Sequence, residues 1–168
     1  GQGGVVVLAT DAMVNDKNAV MTSKVINFDS KNGYKFDVVF DDENGVSASE
    51  LGEFSVYLRS GDQVIMLRDF SKDYSPLSVD ISALLKENGV DSFRGNICFE
   101  VKSSPSNFQY VLIESAVISA GENAPNLEDI QAISISDATK FVNNGDINSL
   151  GYWSCTGRKG IHNSIIYY

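Results

Sequence analysis

In Gly33-Tyr34-Lys35-Phe36-Asp37-Val38-Val39-Phe40, the apolar residues Tyr34, Phe36, Val38 and Phe40 fall on one side of an extended chain, with Lys35, Asp37 and Val39 on the other. That alternation has the period of two of a half-buried β-strand. Glu53 to Ser60 repeats it, Phe54, Val56 and Leu58 alternating with Ser55, Tyr57 and Arg59. Ser60-Gly61-Asp62 then reads as a tight hairpin turn into Gln63 to Arg68, so the whole stretch is expected to run as a meander of antiparallel strands. Downstream, Asn96 to Val101 sets Ile97, Phe99 and Val101 on one face, and Gln109 to Ser119 is rich in Val and Ile. Ser103 to Asn107 between them, with Pro105, reads as a loop. At the front, Val5 to Thr10 and Val25 to Phe28 are expected to be short strands separated by the loop-like Asn15 to Asn18.

Helical signal is scarce. Asp80 to Asn88 is the best segment: Asp80 or Ser82 can cap it, Ala83 to Lys86 favour a helix, and Asn88-Gly89 is a stop. Asp137 to Asn143 is a weaker second candidate. A sheet with one apolar face must bury that face against another layer, so short strands with little helix predict an all-β, antiparallel two-sheet sandwich. Residues 1–120 are assigned to the sandwich. Gly121 to Asn126 reads as a linker or wide loop, and the remaining C-terminal stretch is too short for an independent β domain. Residues 121–168 are therefore expected to be a C-terminal extension that packs on the sandwich or on a partner.

The chain has 168 residues, with 13 Lys and Arg against 22 Asp and Glu, a formal charge of −9. Nucleic-acid affinity rests on clustered cations, so DNA and RNA are not expected as partners. No apolar run approaches the ~18–20 residues of a membrane helix, and no membrane insertion is expected. The chain starts without Met, as a processed or trimmed chain would. Its acidity and its Ser, Asn, Gly and Tyr content favour an extracellular or surface-associated location, secreted or in a virion. Cys98 and Cys155 are free to pair in an oxidising compartment or to remain buried thiols.

Catalytic signatures are missing. His162 is the sole imidazole, near the end of the chain and without a nucleophile motif beside it. One His and two distant Cys do not make a zinc site, and no phosphate-cradling glycine motif occurs. No enzymatic activity is expected. Asp41-Asp42-Glu43, followed by Asn44-Gly45, offers hard oxygen ligands and a sharp turn suited to Ca²⁺, with Asp11, Asn15 and Asp16 a second acidic group. Tyr57 and Arg59 share the non-core face of their strand, with Asp37 on the corresponding face of the strand before. Aromatic rings that stack on sugars beside polar groups that bond hydroxyls make that face a candidate ligand site, together with Tyr74 and Trp153.

Tyr34 to Phe40, Gly52 to Leu58, Val79-Asp80-Ile81 with Leu84-Leu85, Asn96 to Val101 and Tyr110 to Ile118 follow one another in an order that resembles the galactose-binding-like and MAM-like jelly-roll sandwiches. The resemblance spans about residues 5 to 120. It implies a jelly-roll fold and a non-catalytic recognition module, most often carbohydrate-binding and often holding a Ca²⁺ near the first strands. A second expectation belongs to a different class: a structural or assembly subunit, such as a virion decoration protein or an extracellular filament or surface protein. The Gly-rich start and the apolar Ile165 to Tyr168 end suit it, since both can add strands to neighbouring subunits.

Overall fold

The computed structural model describes residues 5–10, 17–23, 25–40, 51–105, 109–119, 153–155, 160–162 and 165–167. Their strands are β1 (Val5–Ala9), β2 (Ala19–Ser23), β3 (Ile26–Asp29), β4 (Lys35–Phe40), β5 (Phe54–Ser60), β6 (Gln63–Ser71), β7 (Leu77–Asp80), β8 (Ser92–Val101), β9 (Tyr110–Ser119), β10 (Trp153–Cys155), β11 (Gly160–His162) and β12 (Ile165–Tyr167), with one helix, α1 (Ile81–Glu87), between β7 and β8. One sheet has the order β11-β12-β1-β9-β4-β7. The other runs β10-β2-β8-β5-β6, and β3 also pairs with β8. The chain is thus an all-β sandwich of two mainly antiparallel sheets with a single short helix among the described residues. None of the described helical residues forms a span long and apolar enough to cross a membrane.

The period-two segments supply the core. Phe36, Val38 and Phe40 of β4 point inward while Lys35, Asp37 and Val39 are exposed. They meet Phe54, Val56 and Leu58 of β5 and Ile97, Phe99 and Val101 of β8 from the opposite sheet. Rings bridge the two layers: Phe36 lies 6.2 Å from Phe99 and Phe40 lies 4.7 Å from Phe54, both within the range of favourable aromatic pairs.

The expected meander is corrected in one respect. β5 and β6 do form a hairpin, Ser60 paired with Gln63 and Gly61 at φ +58° in the turn. β4 does not pair with β5 but lies between β9 and β7 in the other sheet. Alternation assigns a strand's face and leaves its neighbour open, so consecutive half-buried strands satisfy the same pattern whether they pair or cross between layers. Here most connections cross.

α1 follows its local code. The Asp80 carboxylate accepts from the Ala83 N–H at 3.0 Å, and the helix stops at Asn88 with Gly89 at φ +68°. Ser82 is a tie instead of a cap: its hydroxyl donates to the Asp29 carbonyl at 2.8 Å and accepts from the Tyr34 N–H at 3.0 Å. The helix is thereby fixed to the turn between β3 and β4.

β8 is the hub. Its first half pairs with β3, Phe93 opposite Phe28, and its second half with β2, Phe99 opposite Met21, while β5 runs along its other edge. β2 and β3 are successive pieces of one edge, and the break between them is bridged by side chains. The Ile97 N–H donates to the Ser23 hydroxyl at 2.8 Å and the Asn96 amide to the Ser23 carbonyl at 2.7 Å. From the C-terminal segment, β10 pairs with β2 at the edge of one sheet, and β12 pairs with β1, in parallel, in the other.

Candidate functional site

β8 and β5 lie side by side, so their outward residues form cross-strand rows: Asn96 with Arg59, Cys98 with Tyr57, and Glu100 with Ser55. β2 extends the middle row with Thr22. Tyr57 is the centre. It is only 3% exposed, and its hydroxyl donates to Glu100 Oε1 at 2.6 Å. The second carboxylate oxygen of Glu100 accepts from the Asn18 side-chain amide at 2.8 Å, while Asn18 Oδ1 accepts from the Ser103 N–H at 2.9 Å. The Arg59 guanidinium stands 5.3 Å from the Tyr57 ring centroid, a cation–π distance.

Burial, with the hydrogen bond to Glu100 second, pushes the Tyr57 phenol well above its ordinary range. Cys98 is a buried free thiol, 3.8 Å from the Thr22 hydroxyl, and burial raises its pKa too. A neutral thiol is a poor nucleophile and a poor metal ligand. Cys155 is in register with Met21, whereas Cys98 pairs with Thr22. Ser55 is fully buried, and its hydroxyl has no hydrogen-bond partner.

Tyr57, Arg59 and Asp37 are not brought together on one open surface. Tyr57 and Ser55 are outward in register yet buried, so neither presents an open platform. Asp37 does not share their face: it is exposed on the other sheet, accepting from the Ser78 hydroxyl at 2.6 Å. Tyr74 is half-buried, packed 5.3 Å from Phe54, and its hydroxyl donates to the Gly52 carbonyl at 2.6 Å. Tyr57 ties β5 to β8 within one sheet, and Tyr74 ties the connection before β7 to the chain entering β5. Arg59 is an exposed functional group beside the cluster. Trp153 opens β10, opposite Ser23.

The calcium candidates Asp41, Asp42 and Glu43, like Asp11, Asn15 and Asp16, lie outside the described residues, as do Tyr152 and Arg158. Among the described residues no group of three or more His, Cys, Asp or Glu is placed to hold a metal ion.

Arg68 has a role that alternation did not point to. The β5–β6 register slips on either side of Val56, which is opposite Arg68. A bulge re-aims side chains in this way. The guanidinium reaches 5.9 Å from the Phe40 ring centroid in the other sheet, and donates to the carbonyls of Asp73 at 3.1 Å, Ser75 at 2.7 Å and Pro76 at 3.3 Å. It closes the rim of the core. Asp73 accepts from the Ser75 hydroxyl and N–H, which hold its carboxyl below the usual range.

Comparisons of the chain with protein-family models, curated proteins and solved structures return no match.

Proposed function

We propose that this chain is a non-catalytic, surface-acting jelly-roll module, extracellular or part of a particle, whose principal partners are neighbouring protein subunits. The strand orders β1-β9-β4-β7 and β2-β8-β5-β6 support the jelly-roll reading, since they nest one antiparallel double layer inside another. One observation carries the choice of partner: the tyrosines that would stack on a sugar are already engaged inside the fold, Tyr57 with Glu100 and Tyr74 with Gly52. A protein partner needs no such platform, only edges and faces to pack against.

A second reading, carbohydrate recognition, is favoured by exposed Arg59 beside half-buried Asn96 and Glu100, a polar strip able to bond hydroxyls. A glycan array with and without Ca²⁺ separates the two. No binding is expected, and the protein should be recovered from its source in complexes larger than its own 18.3 kDa. A glycan signal abolished by Arg59→Ala would replace the first reading with the second. Calcium at Asp41, Asp42 and Glu43 belongs to the same proposal: Tm should rise in CaCl₂ relative to EDTA, and the rise should vanish in Asp41→Asn/Asp42→Asn.

A further inference from the structure

The chain has four arginines, Arg59, Arg68, Arg94 and Arg158. Arg158 lies outside the described residues, and the Arg68 guanidinium is taken up by the Phe40 ring and three backbone carbonyls. The other two stand side by side. β5 and β8 set Arg59 opposite Asn96, and Arg94 is two residues before Asn96 on the same outward face of β8. Such a diagonal pair is roughly 7–8 Å apart across the strands, within reach for long side chains. Both arginines are exposed, and neither belongs to an ion pair among the described residues.

Neighbouring cations repel, and these two lack a carboxylate partner in a chain where acids outnumber bases 22 to 13. Uncharged groups hold them in place instead. The Tyr57 ring, itself fixed by its bond to Glu100, lies 5.3 Å from the Arg59 guanidinium. Arg94 donates through Nη1 to Asn27 Oδ1 at 3.1 Å, Asn27 being opposite it on β3. A ring face takes none of a guanidinium's N–H donors and a single amide oxygen takes one, so both forks keep donors for a ligand while their positions are already restrained.

A planar guanidinium fork matches a carboxylate. The net charge of −9 works against polyanions such as nucleic acids and sulfated polysaccharides, whereas a short segment with two carboxylates escapes most of that repulsion. Spacing narrows the ligand further. Alternate side chains of an extended strand share a face about 6.4–6.8 Å apart, close to the separation of the two arginines.

We propose that Arg59 and Arg94, on the outward face of β5 and β8, bind an extended acidic segment of a neighbouring protein subunit, each guanidinium taking one of two carboxylates two residues apart. This deepens the assembly reading and rests on it.

Fluorescence anisotropy with two labelled peptides tests this, one carrying its two glutamates two residues apart and one of the same composition carrying them side by side. The full chain should bind the first peptide more tightly, and the binding should weaken as NaCl rises. Arg59→Ala and Arg94→Ala, each checked for an unchanged circular dichroism spectrum, should weaken it about tenfold, while Arg59→Lys and Arg94→Lys, which keep the charge but lose the fork, should recover only part of the loss. Lys35→Ala, which removes the same charge from an exposed position of the other sheet, should leave it unchanged. Equal affinity for the two peptides overturns the proposal, and so does binding of glucuronate alone as tightly as the first peptide, which would make the pair a sugar-acid site. If neither peptide binds while the protein is still recovered in complexes larger than 18.3 kDa, this surface is overturned and assembly through another one stands, so the two readings fail separately.

Discussion

A buried phenol that donates to a carboxylate is a constraint on pH as well as on shape. Tyr57 and Tyr34 are both pushed above the ordinary value of 10.0, chiefly by burial. The folded state therefore holds the phenolic protons more tightly than the unfolded chain. That stabilisation is fully present below about pH 10 and is lost as pH rises further. Thermal melts from pH 8 to 11 should show Tm falling above pH 10, with a shallower fall in Tyr57→Phe. At neutral pH, Tyr57→Phe removes the donor to Glu100 and should cost about 1–2 kcal/mol. Ser55→Ala should act in the opposite direction. It deletes a buried hydroxyl that lacks a partner, and chemical denaturation should find it neutral or stabilising by up to about 1 kcal/mol. Cys98, neutral and enclosed, should resist alkylation in the native protein and react on unfolding, as peptide mapping by mass spectrometry would show.

At the scale of the element, what is written locally is also what is legible in the chain. The α1 cap and stop and the Gly61-Asp62 turn depend on residues a few positions apart, and they fall where the side-chain chemistry places them. Asp80→Ala should therefore cost about 1 kcal/mol in helix capping, measured by denaturant unfolding. The strand β2 and the sheet membership of β4 depend on partners about 80 residues away, such as Val101 for Ala19 and Ser119 for Lys35, and no local pattern encodes a partner. The same holds for the site. Alternation places Tyr57 on the outward row, but whether that row is covered is decided by chain distant in sequence. Gly95 in β8 is similarly silent. A Cβ there would stand 2.1 Å from the Arg59 carbonyl oxygen and 2.7 Å from the Phe93 ring, so Gly95 allows a close approach of two backbones that a side chain would block. Gly95→Ala should destabilise by roughly 2–4 kcal/mol, with the β5–β8 amides losing hydrogen-exchange protection first.

Over the whole molecule, the two sheets share one core, and one edge of each is completed from far along the chain. Truncation after residue 120 removes β10, β11 and β12 and leaves β1 and β2 as bare edges. A fall in Tm on the order of 5–10 °C, with increased light scattering, is the expected result. The hub position of β8 also has a temporal side. β2, β3 and β5 all pair with residues 92–101, so a nascent chain carries three strands without their common partner until that stretch has been synthesised. Non-local pairing of this kind slows folding and lengthens exposure of sticky intermediates. For this protein the ribosome-bound stage, before β8 emerges, is the interval in which a chaperone has most to protect.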